Sequence, residues 1–156
     1  MNQQSPLNAA QSRRQRWLSV LAKAPAQRVE ALWNEVRGVP PYSVLRRPEI
    51  GLVMLKGRIS GSGDPFALGE MTVTRAAVRM TTGEVGFGYA GGRHPRQAEI
   101  IAVMDALGQR GDWQQDLEEK IVAPLEREAL ARHRELNSRA AATRVDFFTV
   151  AREAGT

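Results

Sequence analysis

Apolar positions repeat at helical spacing at both ends of the chain and at strand spacing in the middle. Trp17, Val20, Leu21 and Ala24 fall at i, i+3, i+4 and i+7, the repeat of one helical face. Ser12 stands ahead of them as a candidate cap, since a hydroxyl can accept a free N–H of the first turn. Pro25 opens a second such stretch, Val29, Leu32, Trp33 and Val36, and Gly38 is a C-terminal stop. Residues 12–38 are therefore expected to form a helical hairpin, preceded by a flexible polar arm at 1–11. The two tryptophans on its inner faces read as core, given the apolar area each can bury.

Alternation takes over after Pro40 and Pro41. Residues 42–90 are expected to form an antiparallel meander of four strands. The first runs from Tyr42 to Arg47 and ends at Pro48. The second runs from Ile50 to Ile59 and is expected to be buried at its start and to emerge towards solvent or a partner. The third, Met71 to Thr82, places Thr72, Thr74, Ala76, Val78 and Met80 on one face and Met71, Val73, Arg75, Ala77 and Arg79 on the other. A Thr82-Gly83 turn leads to the fourth, where Val85, Phe87 and Tyr89 alternate with Gly86 and Gly88. Those glycines leave room for another backbone or a side chain to lie flat on the sheet.

Helical spacing returns at residues 93–142. Ile100, Val103, Met104 and Leu107 share a face, and Gly108 and Gly111 end the segment. Trp113, Leu117 and Ile121 follow every four residues, a break is expected at 122–124 because of Pro124, and a fresh helix runs to about Ala142. That last helix has only a narrow apolar stripe, which suits an arm laid across another surface. Residues 144–152, RVDFFTVAR, place Phe147 and Phe148 near the C-terminus as a docking segment. The whole is a single α+β domain.

Composition narrows the function classes. The 156 residues fit one domain, and 42% hydrophobic with 25% charged residues is ordinary for a globular chain. Cysteine is absent, which removes disulfides, thiolate nucleophiles and zinc knuckles and fits a reducing, cytoplasmic setting. No apolar run reaches the length of a membrane span, and the first residues carry no hydrophobic core ahead of their charges, so no secretory signal and no membrane association are expected. The net charge of +5 is uneven: Met1 to Arg58 holds ten basic and three acidic residues, the remainder twelve and fourteen. Such a basic half can serve nucleic acid, phosphorylated ligands or an acidic protein.

Chemistry-bearing motifs are sparse. Gly86 to Gly91 spells G-x-G-x-x-G, but its glycines alternate with Phe87 and Tyr89 as in a strand, and no acidic residue follows at the spacing a dinucleotide fold requires. Residues 57–69 lack the Gly-Lys-Ser/Thr of a P-loop; a hairpin with a bulge is the better reading, ahead of an anion nest beside Arg58 and Arg75. His94 and His133 stand apart, so no metal site is expected. Glu70, Glu99, Asp105 and Asp146 are unpaired at any telling spacing. No catalytic residue is assigned, and no cofactor is expected on this chain. Arg75, Arg79 and Arg93 are the polar residues best placed to anchor a partner or an anion.

Several of these pieces together resemble a known family. The run Gly57-x-x-x-Gly61-x-Gly63, Phe66, Gly69-Glu70-x-Thr72-x-Thr74-Arg75-Ala76-Ala77-Val78-Arg79, then Gly88-Tyr89 and Gly92-Arg93, resembles PhnG, the G subunit of the bacterial phosphonate carbon–phosphorus lyase core complex. The opening Arg16-Trp17-Leu18-Ser19-Val20-Leu21-Ala22, the Ile121-Val122-Ala123-Pro124-Leu125 break and the terminal Arg144-Val145-Asp146-Phe147-Phe148-Thr149 agree in order, from about Gln15 to Arg152. The loop at 62–65 and the charged helix after Leu125 match least. The resemblance implies a subunit that works with the H, I and L subunits to displace adenine from ATP with an alkylphosphonate such as methylphosphonate. The I subunit would be its most direct partner, the H and J subunits would share the core complex, and ATP would be the substrate of the complex. It implies no catalytic residues on this chain, and it makes the glycine face of the last strand a place for another subunit's backbone. A nucleic-acid-binding or regulatory domain, using the basic half, and a stand-alone enzyme at the glycine-rich edge are the readings from other classes. The first lacks basic residues interleaved with exposed aromatics, so nucleic acid is not the expected partner.

Overall fold

The structure is a computed structural model and describes residues 8–58 and 63–142, with side chains to 139. The elements run α1 (Ala9–Lys23), α2 (Ala26–Asn34), β1 (Tyr42–Gly57), β2 (Phe66–Met80), β3 (Val85–Gly91), α3 (Pro95–Leu107), α4 (Gly111–Leu117) and, after a π-helical turn, α5 (Ala123–Ala142). Phe147 and Phe148 lie outside the described residues.

Helix α1 begins earlier than Ser12. The Asn8 side chain accepts the Gln11 N–H at 2.8 Å, and the Gln11 side chain accepts the Asn8 N–H at 3.0 Å, a reciprocal cap. Trp17 and Leu21 from α1 and Val29, Leu32 and Trp33 from α2 enter the core, as their spacing requires. Gln97 joins the end of α1 to α3: its buried amide donates to the Leu21 and Ala24 carbonyls at 2.8 and 2.9 Å. Those are carbonyls that the end of α1 leaves without helical partners.

Among the described residues the sheet has three antiparallel strands in the order β1-β2-β3, not four. Residues 42–47 and 50–57 are one strand, which passes through Pro48 without ending. β1 is an edge strand, and its register shifts between Arg46 and Glu49, so Pro48 sits at a bulge where its missing N–H interrupts no ladder bond. A further shift, between Leu55 and Lys56, leaves Leu68 of β2 as an extra residue, the bulge expected of the glycine-rich stretch. Burial of the start of this strand is not found either: no residue of β1 is fully buried.

Helix α3 is the centre of the domain. Ten of its thirteen residues are buried, because the sheet covers one side and α1, α2 and the α4–α5 rod cover the others. Its approach to the sheet is very close. A Cβ at Gly86 would lie 2.0 Å from the Ala102 carbonyl oxygen, and one at Gly88 would lie 1.9 Å from that of Ala98. The glycine face of β3 is thus filled by this chain's own helix. It is not the open place for another subunit's backbone that the alternating glycines invite.

The expected break at Pro124 is also absorbed. The Ala123 N–H bonds the Glu118 carbonyl five residues back, so α4 passes into α5 through a widened turn. Such a turn relieves the clash and the missing N–H of a proline without ending the helix. Beyond Glu128, every described side chain of α5 is exposed.

Adding one methyl group tests the helix–sheet contact. Gly88→Ala is expected to lower the unfolding free energy by about 3 kcal/mol, since backbone must move to admit it. Gly51→Ala, where nothing lies within 4 Å, is expected to stay within about 0.5 kcal/mol of the parent. Urea denaturation of both variants checks this; equal stabilities would mean that α3 does not rest on the glycines.

Candidate functional site

The alternation of β2 decides what the sheet shows to each side. Thr74, Ala76, Val78 and Met80 face α3 and are buried. The opposite face has no helix over it among the described residues. Cross-strand partners share a face, so the register lays it out in ranks: Ser43–Arg79–Val85, Arg46–Ala77–Phe87 and Glu49–Arg75–Tyr89. Phe87 and Tyr89 are about half exposed there. The alternation that sends Gly86 and Gly88 under α3 thus sends the two aromatics outward.

Arg75 and Arg79 both stand on this open face. Arg75 Nε donates to Glu49 at 2.6 Å, and Arg46 reaches the same carboxylate at 3.3 Å. All three side chains are roughly half exposed, so each contact is worth about 0–1 kcal/mol, and the cluster can exchange partners cheaply. Arg79 has no ion-pair partner among the described residues, and neither has Arg93, which lies in the β3–α3 connection rather than on the face. That connection is held by Thr74: its buried hydroxyl donates to the Gly92 carbonyl at 2.7 Å and accepts the His94 N–H at 2.9 Å. The structure therefore brings Arg75 and Arg79 together and sets Arg93 apart.

Among the described residues, Arg58 and Arg75 are not brought together. The Arg58 guanidinium turns to the Gly63 carbonyl at 3.3 Å, near the end of the β1–β2 hairpin, while Arg75 is occupied by Glu49. The candidate carboxylates are similarly dispersed. Glu99 accepts the Tyr42 hydroxyl at 2.6 Å, Asp105 holds Arg14, and Glu70 is exposed on β2; Asp146 lies outside the described residues. Among the described residues, no group of three or more His, Cys, Asp or Glu side chains could hold a metal. No described helix is long and apolar enough to cross a membrane.

Asp105 is the polar residue whose role the sequence reading missed. It is buried in α3, accepts both arms of Arg14 at 2.6 and 2.8 Å, and takes the Phe87 N–H at 2.8 Å. The hydrogen bond to Asp105 raises the Arg14 guanidinium above its ordinary value. A carboxylate between Met104 and Ala106 on the most apolar helix was the available signal. Arg16 pairs with Glu118 and, at 2.8 Å, with Glu126, and Arg28 meets Glu128 at 2.8 Å. Three arginines of the basic half are thereby matched to carboxylates of the later half instead of forming a strip for nucleic acid. Trp17 and Trp33 are buried, so neither can stack on a base.

The profile of the family described as phosphonate metabolism protein PhnG matches residues 12–153. A protein of Rhizobium meliloti (strain 1021), described as alpha-D-ribose 1-methylphosphonate 5-triphosphate synthase subunit PhnG, is 40% identical over 148 residues. The alignment takes in 93% of this chain and 92% of that protein.

One anchor of the sheet titrates. Burial, and then the hydrogen bond to Glu99, hold the Tyr42 phenol above its ordinary value near 10. The folded phenol keeps its proton more tightly than the unfolded one. Its contribution to stability is therefore complete below pH of about 10 and is lost as pH rises through the raised folded value. Tyr42→Phe is expected to flatten the alkaline fall in stability, followed as the urea midpoint against pH above about 10. A variant whose stability falls as steeply as the parent's would mean that the Tyr42–Glu99 contact does not cause the fall.

Proposed function

The chain belongs to the PhnG family of phosphonate metabolism proteins, and from that premise we propose that it is the G-type subunit of the synthase that makes alpha-D-ribose 1-methylphosphonate 5-triphosphate. In this reaction a phosphonate oxygen bonds to the ribose C1 of ATP as the glycosidic bond breaks and adenine leaves. We assign the chain an accessory role. It supports the I subunit and steers it from hydrolysis of ATP towards transfer to methylphosphonate, within a cytoplasmic core complex that also holds the H and J subunits and works with the L subunit. ATP is the substrate of the complex, and this chain contributes no cofactor.

The observation that carries the reading is the amount of apolar surface left uncovered on the sheet. Eleven large apolar side chains of β1, β2 and β3 are at least 40% exposed, among them Leu52, Leu68, Phe87 and Tyr89. Exposed apolar side chains in this number, on both faces of one small sheet, mark an interaction site. Arg75 and Arg79 lie among these residues, where arginine is favoured as an interface anchor. The named relative is itself described as a subunit, over almost its whole length.

Two measurements test this. The I subunit is purified with and without this chain and supplied with ATP and methylphosphonate. Methylphosphonate is expected in the ribosyl product only when the chain is present; the same products with and without it would overturn the accessory role. Arg75→Ala is expected to weaken association of the complex about tenfold. Intact assembly with lost transfer would instead place Arg75 at the substrate.

A further inference from the structure

Beyond the Val73–Gly91 pair, β2 has left β3 behind. Residues 66–71 pair only with residues 53–57 of β1, as a two-stranded ribbon extending past the body of the sheet. Its apolar side chains are distributed over both faces. By register, Leu52 and Met54 share one face with Thr72 and Glu70, and Val53 and Leu55 share the other with Met71 and Gly69. Leu52, Met54, Leu55, Phe66, Leu68 and Met71 are 40–63% exposed. A two-stranded ribbon is marginal on its own in water, and an apolar one is a hazard.

The two edges of the sheet are treated differently. On the outer edge of β3, Asp105 takes the Phe87 N–H and Gln109 donates to the Val85 carbonyl at 2.7 Å. No such side chain meets the outer edge of β1 among the described residues. The devices that blunt β1, Pro48 and two register shifts, all fall between Val44 and Glu49. From Glu49 to Leu55 the register is unbroken, so this stretch presents a regular edge.

Charge selects the occupant. β1 and β2 carry Arg46, Arg47, Lys56, Arg75 and Arg79 against Glu49 and Glu70. A second copy of this chain would set like charge against like. A lipid surface would leave the peptide groups of the edge without partners. We propose that the β1–β2 ribbon inserts into an apolar, acidic-rimmed groove of a partner subunit of different sequence, which adds a strand along Glu49–Leu55. This rests on the subunit reading above and specifies which part of the chain that subunit grips.

The test co-expresses the full chain with the H, I and J subunits and measures how much of each is retained. Leu52→Asp and Leu68→Asp are expected to cut retention of the gripping subunit about 30-fold or more, with unfolding midpoints within about 2 °C of the parent because both side chains are exposed. Phe87→Asp, on the open face but off the ribbon, is expected to do less. Full retention by the Leu52 and Leu68 variants, with loss in Phe87→Asp, would overturn the insertion while leaving the subunit reading standing. If the parent chain retains none of the three, both fall. A dimer of the parent chain alone that Leu52→Asp dissociates, or vesicle binding that the same change abolishes, would also overturn the insertion.

Discussion

The domain depends on how closely one helix can approach one strand. Gly86 and Gly88 bring β3 against the backbone of α3 at Ala98 and Ala102, at a distance that leaves no volume for a side chain. The geometry works because both surfaces are small at once: two alternate glycines meet alanines four residues apart. With α3 pressed so near, its other sides become the core against which α1, α2 and the α4–α5 rod pack. Asp105 then reaches the Phe87 N–H from the same helix, so the edge of β3 is closed by the contact that seats α3. The close approach, the buried carboxylate and the Arg14 pair form one unit, with a single helix common to all three.

That arrangement has a consequence for the rest of the sheet. A single helix can cover only part of one face, and it is centred on β3 and the adjacent half of β2. β1 lies farthest from it, and the ribbon beyond Val73 lies outside its reach. The exposed leucines and methionines are therefore no fault of patterning within the core. They follow from a sheet longer than the helix that covers it. The residues on the uncovered part alternate in strand fashion and stay apolar, where a monomeric surface strand would carry polar side chains on its solvent side.

Much of this was legible in the residue pattern, for physical reasons that can be separated. Spacing placed Trp17, Leu21, Val29 and Trp33 inside and put Thr74, Ala76, Val78 and Met80 on one buried face, because periodicity reports which side of an element is covered. It could not report what covers it. Gly86 and Gly88 announced a close approach, and the approaching backbone proved to be this chain's own. Pro48 and Pro124 were read as breaks because a proline removes a donor and crowds its neighbours. Each is instead absorbed where the backbone has a spare residue, a bulge in β1 and a π-turn before α5. Arg75 and Arg79 were placed correctly on one face by parity alone, whereas Arg93 followed a turn whose direction Thr74 sets through a hydrogen bond that no spacing rule contains.

Charge also decides which surface is left for a partner. The excess of basic residues in the first part of the chain invites a reading as a nucleic-acid strip. Arg14, Arg16 and Arg28 instead reach carboxylates about a hundred residues later, at Asp105, Glu118, Glu126 and Glu128, and clamp α1 and α2 to the helices they pack against. Three basic groups remain in register on the open face: Arg75 and Arg79 of β2 flank Ala77 and stand beside Tyr89 and Val85, and Arg46 of β1 lies opposite Ala77. There only Glu49 answers Arg75. An arginine whose counter-ion is shared and half exposed gives it up at small cost when a better-placed carboxylate arrives in a drier setting, which is where such pairs gain strength. The same residues that contribute little to the isolated chain are thus those with most to gain in an assembly.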